Sequence, residues 1–340
     1  MVHRGRHLLP ELEPGFFRTQ NGKVTGGNAD FLSHATRYPT FLNRDQPIYI
    51  ADAQQHHGIG PAPTPHQRGV GVHQIRQLFD HPDPLVRFVR TIQDAGMTRK
   101  TVGILGIAEI SQGGAPSQRS ADTFSLTVSK MTGATPLIIP ALPEVHDIAH
   151  LLEILDGVVL TGGRPNVHPS EYGEAETEAH GPFDRGRDRV AIDLVRACVN
   201  AGKPLFGICR GMQEMAVAYG STLHPEIREL PGRMNHRMLK DVPRERRYDI
   251  RHAVDLVPGG QFATLYGRPR IEVNTLHGQG IMSVGERVLV EGTAEDSTIE
   301  AIAIRDAPGF ALGVQWHAEH DPVSQPVNAP LWQAFLNAMN

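Results

Sequence analysis

From residue 101 onward the chain repeats one pattern: a short apolar run, then a longer stretch with helical periodicity. The runs are TVGILGI (101–107), PLIIPAL (136–142), DGVVLTGG (156–163) and PLFGI (204–208). Between them lie SADTFSLTVSKMTGA (120–134), DIAHLLEIL (147–155) and DRGRDRVAIDLVRACVNAGK (184–203), and GMQEMAVAYG (211–220) follows the last run. Apolar runs of this length, without polar alternation, suit strands covered on both faces. Strand–helix alternation in turn calls for parallel neighbours joined by helical crossovers. The expected fold class is therefore α/β, a mainly parallel sheet flanked by helices. Within it, Ser120 is the expected N-cap of the first helix, and Gly133 and Gly202 are expected helix stops. In 184–203, Val190, Ile192, Leu194, Val195 and Cys198 fall largely on one side. After residue 248 the pattern changes to IRHAVDLV, RIEV, RVLVEGTA, IEAIAIR and FALGVQW, read as additional strands, and PLWQAFLNAM (330–339) closes the chain as a helix.

Residues 1–96 differ in character. They are rich in Gly, Pro, His and Gln, as in QQHHGIGPAPTPHQRG (54–69), and carry no sustained period. Pro82 and Pro84 interrupt the short amphipathic pieces of 72–96. Such composition cannot bury enough apolar surface to order itself. At MTRKTVGILGI (97–107) the text reads like the start of a domain. The expectation is a poorly ordered extension over 1–96, native or the product of a mis-assigned start, and one domain over 97–340.

Composition excludes several classes. The net charge is −4, with no basic stripe of the kind that binds nucleic acid. No stretch approaches the ~18 apolar residues of a membrane span, and the N-terminus lacks the apolar core of a secretion signal. Two cysteines among 340 residues make no disulfide framework. A cytoplasmic, reduced protein is expected. The 18 histidines show no zinc-finger spacing; His56 and His57 are merely adjacent, and neither metal nor cofactor is expected.

Chemistry concentrates in four segments. In PLFGICRGMQEMAVAYGSTLHPEI (204–227) a strand, the frame Gly207-Ile208-Cys209-Arg210-Gly211 and a helix form a thiol version of the nucleophile elbow. The glycines at −2 and +2 relieve crowding where strand and helix approach. The helix N-terminus favours thiolate, and the Arg210 N–H is placed to stabilise an oxyanion. A buried structural cysteine is the competing reading for Cys209, as it is for Cys198, which has no partner motif. In GFALGVQWHAEHDP (309–322), His317 and Glu319 stand two apart, so that on an extended chain both point the same way; this suits a base and its orienter. His320 competes only by proximity. In VVLTGGRPNVHPSEYGE (158–174), Gly162-Gly163 ends a strand, and its backbone could donate to an oxyanion or simply turn the chain. In VNTLHGQGI (273–281), Asn274, His277 and Gln279 suit recognition of an α-amino, α-carboxylate group, with an ordinary loop as the alternative. Residues 164–187 read as a surface loop. Its charges, Arg185, Arg187 and the acidic Glu171, Glu174, Glu176 and Glu178, read mostly as solvated loop faces, with a bias towards a cationic leaving amine as the alternative.

Together these four segments resemble the class I glutamine amidotransferase superfamily and, more narrowly, the gamma-glutamyl-gamma-aminobutyrate hydrolase family. The resemblance covers about residues 97–340 and leaves out 1–96. It implies a flavodoxin-like fold, with Cys209 as nucleophile, His317 as general base and then acid, and Glu319 as its orienter. Gly163 and the Arg210 N–H would form the oxyanion hole, and Gln213 would contact the γ-glutamyl moiety. The substrate would be a small γ-glutamyl amide from putrescine degradation, cleaved through a glutamyl thioester without a cofactor. A homo-oligomer stays open. The family usually reads His-Pro-Glu where this chain has His317-Ala318-Glu319, which puts the stiffness of that turn in question. Two other functions remain: a glutaminase subunit serving a separate synthetase, and a non-catalytic binding protein on the same fold.

Overall fold

The apolar runs become strands of one nine-stranded sheet. The computed structural model describes residues 99–111, 113–177 and 180–340. The extension expected over 1–96, and Glu178 of the acidic cluster, lie outside the described residues. The elements run β1 (Thr101–Leu105), β2 (Ile107–Ile110), β3 (Pro116–Arg119), α1 (Asp122–Thr132), β4 (Thr135–Ile139), α2 (Ile148–Ile154), β5 (Gly157–Leu160) and α3 (Arg185–Ala201). They continue with β6 (Leu205–Ile208), α4 (Arg210–Ala218), β7 (Thr222–His224), β8 (His252–Leu256), α5 (Gln261–Tyr266) and β9 (Arg270–Val273). The last are β10 (Gly280–Ser283), β11 (Val288–Ala294), β12 (Ile299–Ile304), β13 (Ala311–Val314) and α6 (Ala329–Ala338).

The sheet order is β4-β1-β5-β6-β13-β12-β11-β8-β9. From β4 to β13 every pair is parallel, and from β13 to β9 every pair is antiparallel. This is the α/β arrangement the alternation predicts, with the later strands added at one edge. Two short antiparallel pairs, β2–β3 and β10–β7, lie outside it. No helix among the described residues is long and apolar enough to cross a membrane.

Two cores form, one on each face. Phe206 and Ile208 of β6 join Trp316, Trp332 and Phe335 on the face covered by α1 and α6. Leu205 of the same strand joins Leu194, Val195, Cys198 and Met215 beneath α3 and α4. The five apolar positions expected inside on α3 are all buried. Cys198 is wholly buried, and burial pushes its thiol up to about 12. Asp184 caps α3, accepting from Arg187 N at 3.0 Å, and Gly202 ends it with φ 66°. Gly133 likewise ends α1 at φ 68°. The expected Ser120 cap is not made: α1 starts one residue later, with Ala121 at the N-cap and no side-chain bond there, and the Ser120 hydroxyl turns to the Ala121 carbonyl at 3.5 Å. Nor is 164–187 a simple surface loop. Val167, His168 and Pro169 are buried, because the segment folds back over α3.

Candidate active site

β6 ends at Ile208 and α4 begins at Arg210, so Cys209 alone makes the turn. Its amide donates to Val314 O of β13 at 2.7 Å. Its backbone is left-handed, φ 55° and ψ −106°, a conformation that costs a non-glycine residue about 1–3 kcal/mol. The neighbouring glycines make this turn sterically accessible. A Cβ on Gly211 would fall 2.2 Å from Leu160 O, and one on Gly207 would fall 2.5 Å from Met215 Sδ. The thiol therefore sits where α4 directs its free N–H groups and positive dipole end.

His317 and Glu319 reach this thiol by a route other than the expected one. β13 stops at Val314, three residues short of His317. The chain then bends, and a turn rather than strand alternation brings His317 Nδ1 to Glu319 Oε1 at 2.6 Å. A Cβ on Gly162 would stand 2.9 Å from His317 Cε1 and 3.5 Å from the Cys209 Cβ, so Gly162 lies against both, and both line one cavity. Side chains hold the turn without a proline. Asn274 accepts from His317 N at 2.8 Å and donates to His317 O at 3.2 Å. Trp332 donates to Ala318 O at 2.8 Å, and Thr127 to Glu319 O at 2.8 Å. Burial alone would lower the pKa of His317. The facing Glu319 carboxylate, then the Cys209 charge and hydrogen bond, outweigh that and raise it well above the ordinary histidine value. His320 turns away and stacks on Tyr248, with ring centroids 3.9 Å apart.

Below the turn lies a buried ion network that sequence reading did not detect. Arg210 pairs with Glu214 and with Asp188 Oδ1 at 2.5 Å, and donates to Pro165 O at 2.8 Å. Arg187 donates to Glu214 Oε1 at 2.9 Å, to Thr161 Oγ1 at 3.0 Å and to Gly162 O at 3.4 Å. All four side chains are at most 2% exposed. Burial pushes the Asp188 carboxyl up to about 6, although the Arg210 charge pulls it down. The network ties α3, α4 and the Gly162–Gly163 loop into one unit. The i,i+4 spacing of Arg210 and Glu214 was its one local signal.

A cavity of about 600 Å³ opens over Cys209, His317, Gly163, Gln213 and His277. Gln213 donates to Gln279 O at 2.7 Å and to Gln315 Oε1 at 3.0 Å, which fixes its amide at the cavity wall. Burial pushes His277 down to about 4, so its imidazole is neutral near pH 7. Two residues expected to recognise substrate have their amides engaged elsewhere. Asn274 clamps the His317 backbone, and Gln279, though on the cavity wall, brackets Val167 through its N–H (2.8 Å) and its carbonyl (3.1 Å). Gly162 backs the histidine rather than lining the cavity. Among the described residues the lining includes Arg164, Lys240 and Arg237, the last paired with Glu226, and no carboxylate; Glu171, Glu174 and Glu176 are not part of it.

The mostly parallel sheet with helices on both faces is a flavodoxin-like α/β fold, and it sets a thiol at a strand–helix turn near a carboxylate-backed imidazole. The family model for peptidase C26 matches residues 102–319. The gamma-glutamyl-gamma-aminobutyrate hydrolase PuuD of Escherichia coli (strain K12) is 37% identical over 208 residues, 61% of this chain and 81% of that protein. A putative glutamine amidotransferase of Schizosaccharomyces pombe is 33% identical over 184 residues, 54% of this chain and 69% of that protein. Among solved structures, a glutamine amidotransferase of Thermotoga maritima aligns at a TM-score of 0.43 and 16% identity, over 72% of this chain and 97% of that one. The chain belongs to the peptidase C26 family and is a hydrolase enzyme.

Proposed function

We propose that the domain over 97–340 is a cysteine-dependent γ-glutamyl amide hydrolase. Its preferred substrate is γ-glutamyl-GABA, a small molecule of putrescine degradation, and it acts in the cytoplasm. The reading rests on one observation: the thiol and the carboxylate-backed imidazole open into a cavity whose mouth is basic. In the reaction, the Cys209 thiolate attacks the δ-carbonyl, and the N–H groups of Gly163 and Arg210 receive the developing oxyanion. The C–N bond breaks as the His317 imidazolium gives its proton to the leaving amine, leaving a glutamyl thioester. Neutral His317 then takes a proton from water as the water attacks, and glutamate leaves with return of the thiolate and imidazolium. Glu319 holds the imidazole throughout, and Gln213 contacts the glutamyl group.

The basic mouth separates the amines. GABA carries a carboxylate that Arg164 and Lys240 attract, Arg237 being paired with Glu226, whereas putrescine carries an ammonium that they repel. The test is glutamate release from γ-glutamyl-GABA, γ-glutamylputrescine and glutamine, by wild type and Cys209→Ala. The expected result is Cys209-dependent cleavage with the GABA conjugate fastest, and a shift towards the putrescine conjugate in Lys240→Glu. Preference for the putrescine conjugate would overturn the argument from the mouth. Preference for glutamine would make the protein a glutaminase subunit, a reading favoured by relatives named as putative glutamine amidotransferases. Silence on all three would leave a binding protein.

A further inference from the structure

Away from the thiol, four side chains far apart in sequence converge behind the cavity wall. His236 lies between β7 and β8, His252 opens β8, His277 lies between β9 and β10, and Glu300 is on β12. Their side chains are at most 6% exposed. One nitrogen of each ring faces Glu300 Oε1 at 3.5 Å: Nδ1 of His236, Nε2 of His252 and Nε2 of His277. Donor atoms of His236, His252 and Glu300 all lie within 4.8 Å of one another.

The outward nitrogens decide what the inward ones carry. His252 Nδ1 lies 3.1 Å from Ala253 O, and His277 Nδ1 lies 3.0 Å from Gln279 O. A carbonyl can only accept, so each Nδ1 bears the proton and each Nε2 is a bare lone pair. His236 Nε2 meets Asp296 Oδ2 at 3.0 Å, the carboxylate–histidine pairing that turns the other nitrogen towards a metal. The inward His236 Nδ1 has the Thr275 hydroxyl at 3.1 Å, which also reaches His236 O at 3.3 Å.

The centre is therefore lined with acceptors. His252 Nε2, His277 Nε2 and both Glu300 oxygens are buried with no hydrogen-bond partner. Orphaned buried acceptors are costly, and 3.5 Å is too long for a shared proton to bridge them well. It does suit a cation. Tetrahedral bonds of about 2.0–2.1 Å hold their ligand atoms about 3.3 Å apart. Two imidazoles and one carboxylate, with a third imidazole against the same carboxylate, form a borderline donor set that favours zinc over the hard, oxygen-seeking cations.

We propose that His236, His252 and Glu300 hold a zinc ion, with His277 facing Glu300 beside it, and that this cluster pins the 236–237 and 274–279 segments to the antiparallel half of the sheet. The second segment supplies Leu276 and His277 to the cavity wall, so the ion braces that wall without entering the reaction. The proposal does not depend on which amide is cleaved.

The test uses the full chain without a histidine tag. It is stripped with a chelator, reloaded with Zn2+, and read by elemental analysis and thermal unfolding. Wild type and Cys209→Ala are both expected to hold about one zinc per chain and to gain thermal stability on loading. Glu300→Gln and His252→Ala should each bind zinc at least tenfold more weakly. Should those variants fail to fold, X-ray absorption on zinc-loaded wild type replaces them, with imidazole and oxygen scatterers and no sulfur as the expected shell. Wild type holding less than about a tenth of an equivalent, zinc lost with Cys209→Ala, a sulfur scatterer, or full zinc retention in both site variants would each overturn the proposal.

Discussion

At the scale of single residues, the histidine beside the thiol sets the pH behaviour. Its pKa is raised in the folded protein because Glu319 and Cys209 favour the imidazolium despite burial. The stabilisation from that proton is fully present below the unfolded value of about 6.5 and is lost as pH rises through the raised folded value. The rate constant kcat/KM should accordingly hold through neutral pH and fall on an alkaline limb. Cys209→Ala removes one of the groups that raise the pKa, so an NMR titration of His317 should move to lower pH in that variant. Asn274 tests positioning rather than binding. Asn274→Ala should lower kcat by about 10–100-fold with KM nearly unchanged, because it frees the backbone that carries the imidazole; steady-state kinetics on the preferred amide reads the split. The glycine-flanked cysteine could be singled out in the sequence because crowding in a tight turn is a local constraint. The work of Asn274 could not, since its partner is 43 residues away and an amide in a loop looks the same whether it binds a ligand or a backbone.

Among the elements, the close approach of α4 to β5 and the ions beneath it carry the risk. Glu214→Gln leaves two buried guanidiniums short of charge and should cost about 3–5 kcal/mol of stability by chemical denaturation. Gly211→Ala should be destabilising as well, by about 1–3 kcal/mol or more, since strand backbone does not yield to a methyl group. Helices such as α3 were readable because amphipathic spacing and a terminal glycine are written locally. The network was not, because Asp188, Arg187 and Glu214 on amphipathic helices resemble ordinary solvated charges until α3 and α4 are packed face to face. The β2–β3 and β10–β7 pairs also escaped, being short and carrying little alternation. The turn after β13 defeated the period-2 argument, because the strand ends before the residues it was meant to carry.

For the molecule as a whole, strand–helix alternation indicated the parallel half of the sheet, and the later apolar runs indicated extra strands. The order in which β12, β11, β8 and β9 extend the edge depends on long-range pairing and has no local signature. The same holds for the histidines and Glu300, which are separated in the chain and brought together only by that extension. The two cysteines now stand in opposite conditions: one is sealed in the core under α3, and the other lies at the cavity floor. The protein therefore contains its own gauge of competence. A small electrophile should add about one adduct to the native chain and about two after denaturation, as counted by intact mass. The labelled share of a preparation would then report what fraction of its molecules present an open, working thiol, before any substrate is known.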